Sequence, residues 1–263
     1  MAAVRNVPVA EVDGIDRAVL AIGTDYPPDH LLPFHRHRRA QFLYGATGVM
    51  RVETADGTWT VPTRRAVLIP AGTEHRVAMA GVSTRSLYIE PAAAPWFPER
   101  CRVVDVSPLL RELVLAAVDI EPRYPAHGRD ADLVSLILHE LARLAPLPLD
   151  LPLPRDAALR GLCEAFLDAP DVHAPPARWA AALHMSERSL NRLFHAETGM
   201  GYAQWRRRAC ALHALRLLGG GMSVTRTAAA LGYQNPAAFT TMFRRLLGAA
   251  PTRYLPGAES GAG

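Results

Sequence analysis

The stretch Leu183-His-Met-Ser-Glu-Arg-Ser-Leu-Asn-Arg-Leu-Phe-His-Ala-Glu-Thr-Gly199 decides how the last hundred residues of this chain fold. Ser186 precedes an apolar repeat at Leu190, Leu193 and Phe194, the spacing of one helix face. A serine there caps the helix, because its hydroxyl accepts one of the unpaired amide hydrogens of the first turn. Glu187 suits the positive end of the helix dipole, and Gly199 stops the helix. Upstream, Ala177 to Leu183 reads as a short helix. Helix, three-residue turn and capped helix is the arrangement that lays its second helix in the major groove of DNA. The face opposite the apolar stripe carries Arg188, Asn191, Arg192 and His195. Arginine and asparagine suit paired hydrogen bonds to guanine and adenine edges; a solvated charged face is the ordinary alternative.

A second unit of the same kind follows. Ser223 is placed to cap a helix through Val224, Thr227, Ala228 and Leu231, and Gly232-Tyr-Gln-Asn235 forms the turn. Pro236 opens the next helix, where its missing amide hydrogen is of no consequence. Phe239, Met242, Phe243 and Leu246 point inward, and Gly248 ends the helix. Between the units, Ala203 to Leu218 is a helix with Trp205, Ala209, Leu212, Leu215 and Leu218 as its apolar stripe. Its length of about 24 Å, with the helix radii at each end, lets two recognition helices reach major-groove faces about 34 Å apart.

The charge agrees. From Arg155 onward there are 13 Arg against 7 acidic residues, a net of +6, whereas residues 1–154 carry a net of −2. Such asymmetry suits a back half that meets a polyanion. The 263 residues suggest about two domains. Residues up to about Arg102 read as short strands punctuated by Gly, Pro and Asp, with a hairpin turn at Ala55-Asp-Gly57, the texture of a sandwich or barrel. From Ser107 the period becomes helical: Leu109, Leu110, Leu113, Val114 and Ala117, then Leu133, Leu136, Ile137, Leu141 and Leu144. These stripes pack on the strands or form a homodimer seam. The run Ala145-Pro-Leu-Pro-Leu-Asp-Leu-Pro-Leu-Pro154 reads as an extended interdomain spacer. Cys101, Cys163 and Cys210 are too few and too scattered for a disulfide framework or a thiolate zinc site. No apolar run approaches the ~18 residues of a membrane span. Met1 to Ala10 lacks the pattern of a signal peptide, which leaves the cytoplasm as the expected compartment.

These residues match a known pattern. Leu183–Gly199 resembles the first helix-turn-helix of AraC/XylS-type transcription regulators. Thr227-Ala-Ala-Ala-Leu-Gly-Tyr-Gln-Asn-Pro-Ala-Ala-Phe-Thr-Thr-Met-Phe-Arg-Arg-Leu-Leu-Gly248, with Ala250-Pro251 and Tyr254, resembles the second. The resemblance covers about Asp156 to Leu255. It implies two helix-turn-helix units on a long helix, binding double-stranded promoter DNA, with RNA polymerase as a further partner if the regulator activates. On this match the DNA-facing positions are Arg188, Asn191, Arg192 and His195 in the first unit, and Gln234, Asn235, Pro236, Ala237, Thr240, Thr241 and Arg244 in the second. The second recognition helix lacks Arg, Gln or Asn at the usual base-reading positions. The first unit is therefore expected to read sequence, and the second to grip phosphates and thymine methyls.

In the front half, His35-Arg-His37, Gln41 and Gly48 form HxHx3Qx6G, and Pro70-Ala-Gly-Thr-Glu-His75 forms PxGxxH. Both resemble the two motifs of cupins, small β-barrels with an internal site, in which the histidines and a carboxylate bind a divalent metal. Here Gln41 stands where Glu is usual, Arg64 where Gly is usual and Met79 where Asn is usual. Three imidazoles and an amide oxygen suit a borderline divalent metal, though the lost carboxylate lowers the expected affinity. The alternative is a polar lining for a small-molecule effector. A cupin-type dioxygenase or isomerase using His35, His37 and His75 would leave the paired helix-turn-helix without a purpose.

The expected protein is thus α+β and non-enzymatic. It has a cupin-like sensor barrel over 1–104, a helical pair over 105–145 that dimerises or packs on the barrel, and a proline-rich linker over 146–155. A double helix-turn-helix domain over 156–256 and a disordered tail over 257–263 complete it.

Overall fold

The structure is a computed structural model that describes residues 9–27 and 29–255, so the expectations for the tail and for the first eight residues lie outside the described residues. The chain divides into two compact bodies. One comprises Met1–Thr54 and Val61–Leu147, the other Ala55–Thr60 and Pro148–Gly263.

The first body begins with a single helical turn, α1 (Val9–Val12), then strands β1 (Val19–Asp25), β2 (His30–His35), β3 (Ala40–Gly45) and β4 (Val49–Thr54). Strand β5 (Gly57–Val61) follows, almost all of it in the second body. The first body continues with β6 (Arg65–Ile69), β7 (His75–Ala80), β8 (Ser83–Ile89), β9 (Arg102–Asp105), helices α2 (Pro108–Ala117) and α3 (Arg129–Leu141), and β10 (Pro146–Leu147). Six strands form an antiparallel sheet in the order β1-β8-β3-β6-β9-β10. Strands β4 and β2 flank β7, again antiparallel, in a second sheet. Strand β3 is buried along its whole length because both its faces are covered. Its even-numbered side chains, Ala40, Phe42 and Tyr44, join Leu110, Val114 and Ala117 of α2 and Val134, Ile137 and Leu141 of α3 in one core. The strand period of two then sends Gln41 and Leu43 to the other face. The two helical stripes are thus largely spent on the sheet, while Leu109 and Leu136 stay 51% and 41% exposed.

Arg39 is fully buried. Its guanidinium lies 3.2 Å from carboxylate oxygens of both Asp13 and Glu90, and donates to the carbonyls of Ile15 and Arg17 at 2.7 and 2.8 Å. A buried arginine persists only where its charge is met in this way.

The second body contains β5, β11 (Asp150–Pro152) and helices α4 (Ala157–Asp168), α5 (Pro176–Ala182), α6 (Glu187–Thr198), α7 (Tyr202–Gly219), α8 (Val224–Ala230) and α9 (Pro236–Leu247), closed by a 3₁₀ turn at Pro251–Tyr254. The proline-rich run is extended, yet its backbone is used. Pro146 and Leu147 pair with β9, and Asp150–Pro152 pairs with Trp59, Thr58 and Gly57 of β5. Pro146 and Pro152 sit at strand ends on outermost strands, where a missing donor does least harm, and Pro148 and Pro154 lie outside the strands. Trp205 is the largest fully buried side chain. The rings of Phe166, Trp179 and Phe194 stand 5.7–6.1 Å from it, and its Nε1 donates to the Pro152 carbonyl at 2.8 Å.

Candidate nucleic-acid interface and sensor site

Each recognition helix is fixed by local caps. The Ser186 hydroxyl accepts from the Ser189 amide at 3.1 Å, and Gly199 closes α6 in the left-handed conformation at φ 71°. In the second unit the Asn235 carboxamide accepts from the Ala237 amide at 2.8 Å, and Gly248 closes α9 at φ 76°. Leu190 and Phe194 anchor α6 inward, and Phe239 and Phe243 anchor α9. Arg188, Asn191, Arg192 and His195 are all exposed on α6, the face expected from the sequence. On the second unit Gln234, Asn235, Ala237, Thr241 and Arg244 are exposed, and Pro236 and Thr240 half-buried.

Three of these side chains have structural work already. Asn191 Oδ1 accepts from the backbone amide of Tyr202 at 3.1 Å, meeting a donor at the start of α7 that has no partner within its own helix. While that bond holds, the Asn191 carboxamide cannot present both its groups to adenine. Asn235 is a cap, and the Thr241 hydroxyl donates to the Ala237 carbonyl at 3.0 Å. Arg188 and Arg192 make no ion pair or hydrogen bond through their side chains among the described residues, and neither do Arg178, Arg207, Arg226, Arg244 and Arg245. Of these, Arg178, Arg207 and Arg226 were not singled out from the sequence, and all three are exposed.

In the first body, β2 and β7 pair His35 directly opposite His75. The His37 carbonyl accepts from the Gly72 amide at 2.9 Å, which fastens the first histidine motif to the second. The three rings converge: centroids lie 4.3 Å apart for His35 and His75, 5.3 Å for His37 and His75, and 6.2 Å for His35 and His37. One ring nitrogen from each lies within 4.8 Å of the others. In all three, Nδ1 sits on a backbone carbonyl two residues away: Pro33 at 2.8 Å, Arg39 at 2.6 Å and Thr73 at 2.8 Å. Nδ1 therefore holds the proton and donates, which leaves Nε2 of His35 and His75 with a lone pair, the tautomer of a metal-ligating histidine, while His37 Nε2 faces the Gln41 carboxamide. His75 is fully buried, and its Nε2 has no partner. Burial depresses the pKa of His37, and that of His75 to about 4.

Gln41 Oε1 lies 3.2 Å from His37 Nε2, and its amide nitrogen lies 3.2 Å from both the Ser86 and Tyr88 hydroxyls. The Tyr88 phenol, pushed up to about 12 by burial, stacks edge-on against His37 at 5.1 Å. The structure thus brings together all four sequence-predicted residues and adds Ser86 and Tyr88. A tetrahedral zinc site spaces its nitrogens by about 3.3 Å, so modest ring rotations bring these three imidazoles onto a metal. The donor set fits.

Paired helix-turn-helix units beside a sheet domain with a convergent polar site define a DNA-binding protein with a separate domain suited to a ligand. Comparison with known proteins makes the assignment specific. Residues 18–155 match the AraC-like ligand binding domain, and residues 179–256 match a helix-turn-helix domain. The chain is 34% identical to the HTH-type transcriptional regulator NimR of Escherichia coli over 224 residues, 85% of this chain and 82% of that one. It is 30% identical to the HTH-type transcriptional regulator RipA of Corynebacterium glutamicum over 106 residues, 40% of this chain and 32% of that one. Among solved structures it is similar to ToxT of Vibrio cholerae, at 12% identity and a TM-score of 0.38 over 92% of this chain and 98% of that one. The chain belongs to the AraC family of transcription regulators. Among the described residues, no helix is long and apolar enough to cross a membrane.

Proposed function

We propose that this regulator binds double-stranded promoter DNA to an extent set by what occupies the His35, His37, Gln41 and His75 site, and that the occupant is a divalent metal ion. The observation that carries this reading is the convergence of three imidazoles. One ring nitrogen from each lies within 4.8 Å of the others, and Nε2 of His75 is buried without a partner, an arrangement that costs about 1–3 kcal/mol if nothing meets it. When bound, the metal would supply a cross-link between β2, β7 and the 36–39 turn. His35, His37 and His75 would hold it, and Gln41 would offer an oxygen where cupins carry a carboxylate. Preferential binding of metal to one DNA-binding state by about 1–3 kcal/mol is enough for a working switch.

Metal analysis and calorimetry on the full chain test this. About one Zn²⁺, Mn²⁺ or Ni²⁺ per chain is expected, with at least a tenfold loss of affinity in His75→Ala and a shift in operator affinity on chelation. Equal metal content in wild type and His75→Ala would sink it. A shift in operator affinity caused by a small organic molecule alone would instead favour the effector reading, for which the Ser86 and Tyr88 hydroxyls supply neutral hydrogen-bonding groups.

The reading includes a second copy of the chain seated on α2 and α3, supported by the exposure of Leu109 and Leu136. Sedimentation of the full chain should show a dimer that Leu109→Glu with Leu136→Glu shifts to monomer. A wild type that stays monomeric at tens of micromolar would remove this part. RNA polymerase enters as a partner where the regulator activates.

A further inference from the structure

The covalent joint between the two helix-turn-helix units is weak. Helix α7 ends in Gly219, and Gly220 and Gly221 follow before α8, with Gly221 at φ 86°. Glycine holds backbone direction less firmly than any other residue. A three-glycine joint does not by itself fix the angle at which the second unit leaves α7.

Packing of α8, α9 and the closing 3₁₀ turn against α7 is one further connection, and another exists. The loop between α4 and α5 makes a bracket from the start of α7 to the turn of the second unit. At one end, the Ala174 carbonyl accepts from the Tyr202 hydroxyl at 3.0 Å and from Arg206, whose guanidinium lies over the Tyr202 ring. At the other end, the Val172 amide donates to the Leu231 carbonyl at 3.1 Å, and His173 Nε2 meets the Gly232 carbonyl at 3.0 Å. Asp171 shapes the loop by accepting from the His173 amide at 2.8 Å. Gly232 has φ 87°, and a Cβ there would stand 2.7 Å from Asp171 Oδ1 and 3.3 Å from the His173 ring. The turn of the second unit thus lies against the loop, and the positive φ of Gly232 favours glycine there, with the Asp171 and His173 side chains filling the space a Cβ would take.

We propose that the Asp171–Ala174 loop is a strut that sets the spacing and angle at which the two recognition helices meet DNA, and that His173 and Gly232 are positioning residues for DNA binding. The inference rests on the reading that both units engage the duplex at once.

The test uses full-length protein and a 30-base-pair duplex selected from random DNA with the wild type. Versions of that duplex carry one or two base pairs inserted or deleted between the two half-sites. The wild type should lose about tenfold in affinity for a one-base-pair change. His173→Ala should lose no more than about threefold, and Gly232→Ala should relax in the same way. His173→Gln, whose amide can donate to the same carbonyl, should restore the wild-type spacing profile. If Gly232→Ala does not fold, the His173 pair decides alone. A spacing-sensitive wild type with an equally sensitive His173→Ala, or a uniform loss at every spacing, overturns the strut alone. A wild type indifferent to spacing overturns both the strut and the two-unit reading.

Discussion

Alanine at both Arg188 and Arg192 is expected to weaken operator binding about a hundredfold while leaving the fold intact. Both side chains are exposed on the outer face of α6 and engage no other group among the described residues, so their removal breaks nothing inside the protein. A paired arginine–guanine contact is worth about 1–3 kcal/mol of discrimination, and each 1.4 kcal/mol is about tenfold in affinity. Two contacts near the lower end of that range give about two orders of magnitude. Binding measured against single-base variants of the operator separates two origins of the loss. Lost base reading flattens discrimination at particular base pairs. Lost phosphate contact lowers affinity evenly and reduces the salt slope by about 0.9 per contact. The second unit makes a contrast, because Ala237, Thr240 and Thr241 offer little but methyls and a hydroxyl already engaged with its own helix. A sharper base preference in the half-site read by α9 than in that read by α6 would refute the unequal division of labour. Asn191→Ala has a second signature, since it strips an acceptor from the start of α7 and should lower thermal stability by about 1 kcal/mol, the usual worth of a cap.

The second large effect is on stability. Trp205→Ala removes the centre of an aromatic cluster that ties α4, α5, α6 and α7 together. Truncating a buried tryptophan costs about 3–5 kcal/mol. A domain of about a hundred residues has about 5–15 kcal/mol in all, and loses about 4–8 °C in melting temperature per kcal/mol. The melting transition of the DNA-binding body should therefore fall by about 12 °C or more, and operator binding at 37 °C should fail with it. Trp205→Phe keeps most of the packing but deprives the Pro152 carbonyl of its donor, and should cost about 1–2 kcal/mol. A Trp205→Ala protein melting within 5 °C of wild type would contradict this account of the core.

Much of this was legible in the sequence because it is local. Ser186, Ser223, Gly199 and Gly248 announce helix ends within four residues of themselves, and these caps form as expected, while Asn235, expected in the turn, proves to cap α9. The histidine set is legible by spacing, because HxH and PxGxxH each fix a short turn. What escaped depends on pairing between distant residues. Tyr88 and Ser86 reach the site only because β3 and β8 align Gln41 with Tyr88, a register no local pattern states. Asn191 looks like a base reader on its own helix and becomes an acceptor only when α7 arrives. Helix α7 was read as a single stripe, yet Tyr202, Cys210, Ala211 and Ala214 are buried as well, because the second body surrounds it on more than one side. Small residues on the supposed outer face were the available hint. Arg39 sits in a run of basic residues that reads as surface, and only Asp13 and Glu90, both remote in sequence, take it inside.

The pairing of β11 with β5 has a consequence for anyone who would move this DNA reader between proteins. Its folding unit is not a contiguous stretch of gene: residues 55–60 lie some ninety positions upstream of the rest. Arg155 and Arg160 reach back to Asp56 and Ala55, so side chains as well as backbone depend on the distant strand. A fragment starting at Pro148 would keep both helix-turn-helix units and lose the partner of Asp150–Pro152, leaving open hydrogen-bonding groups of the kind that recruit neighbouring chains. Grafting the reader onto another sensor at the proline run would force it to accept a foreign β-hairpin in place of its own.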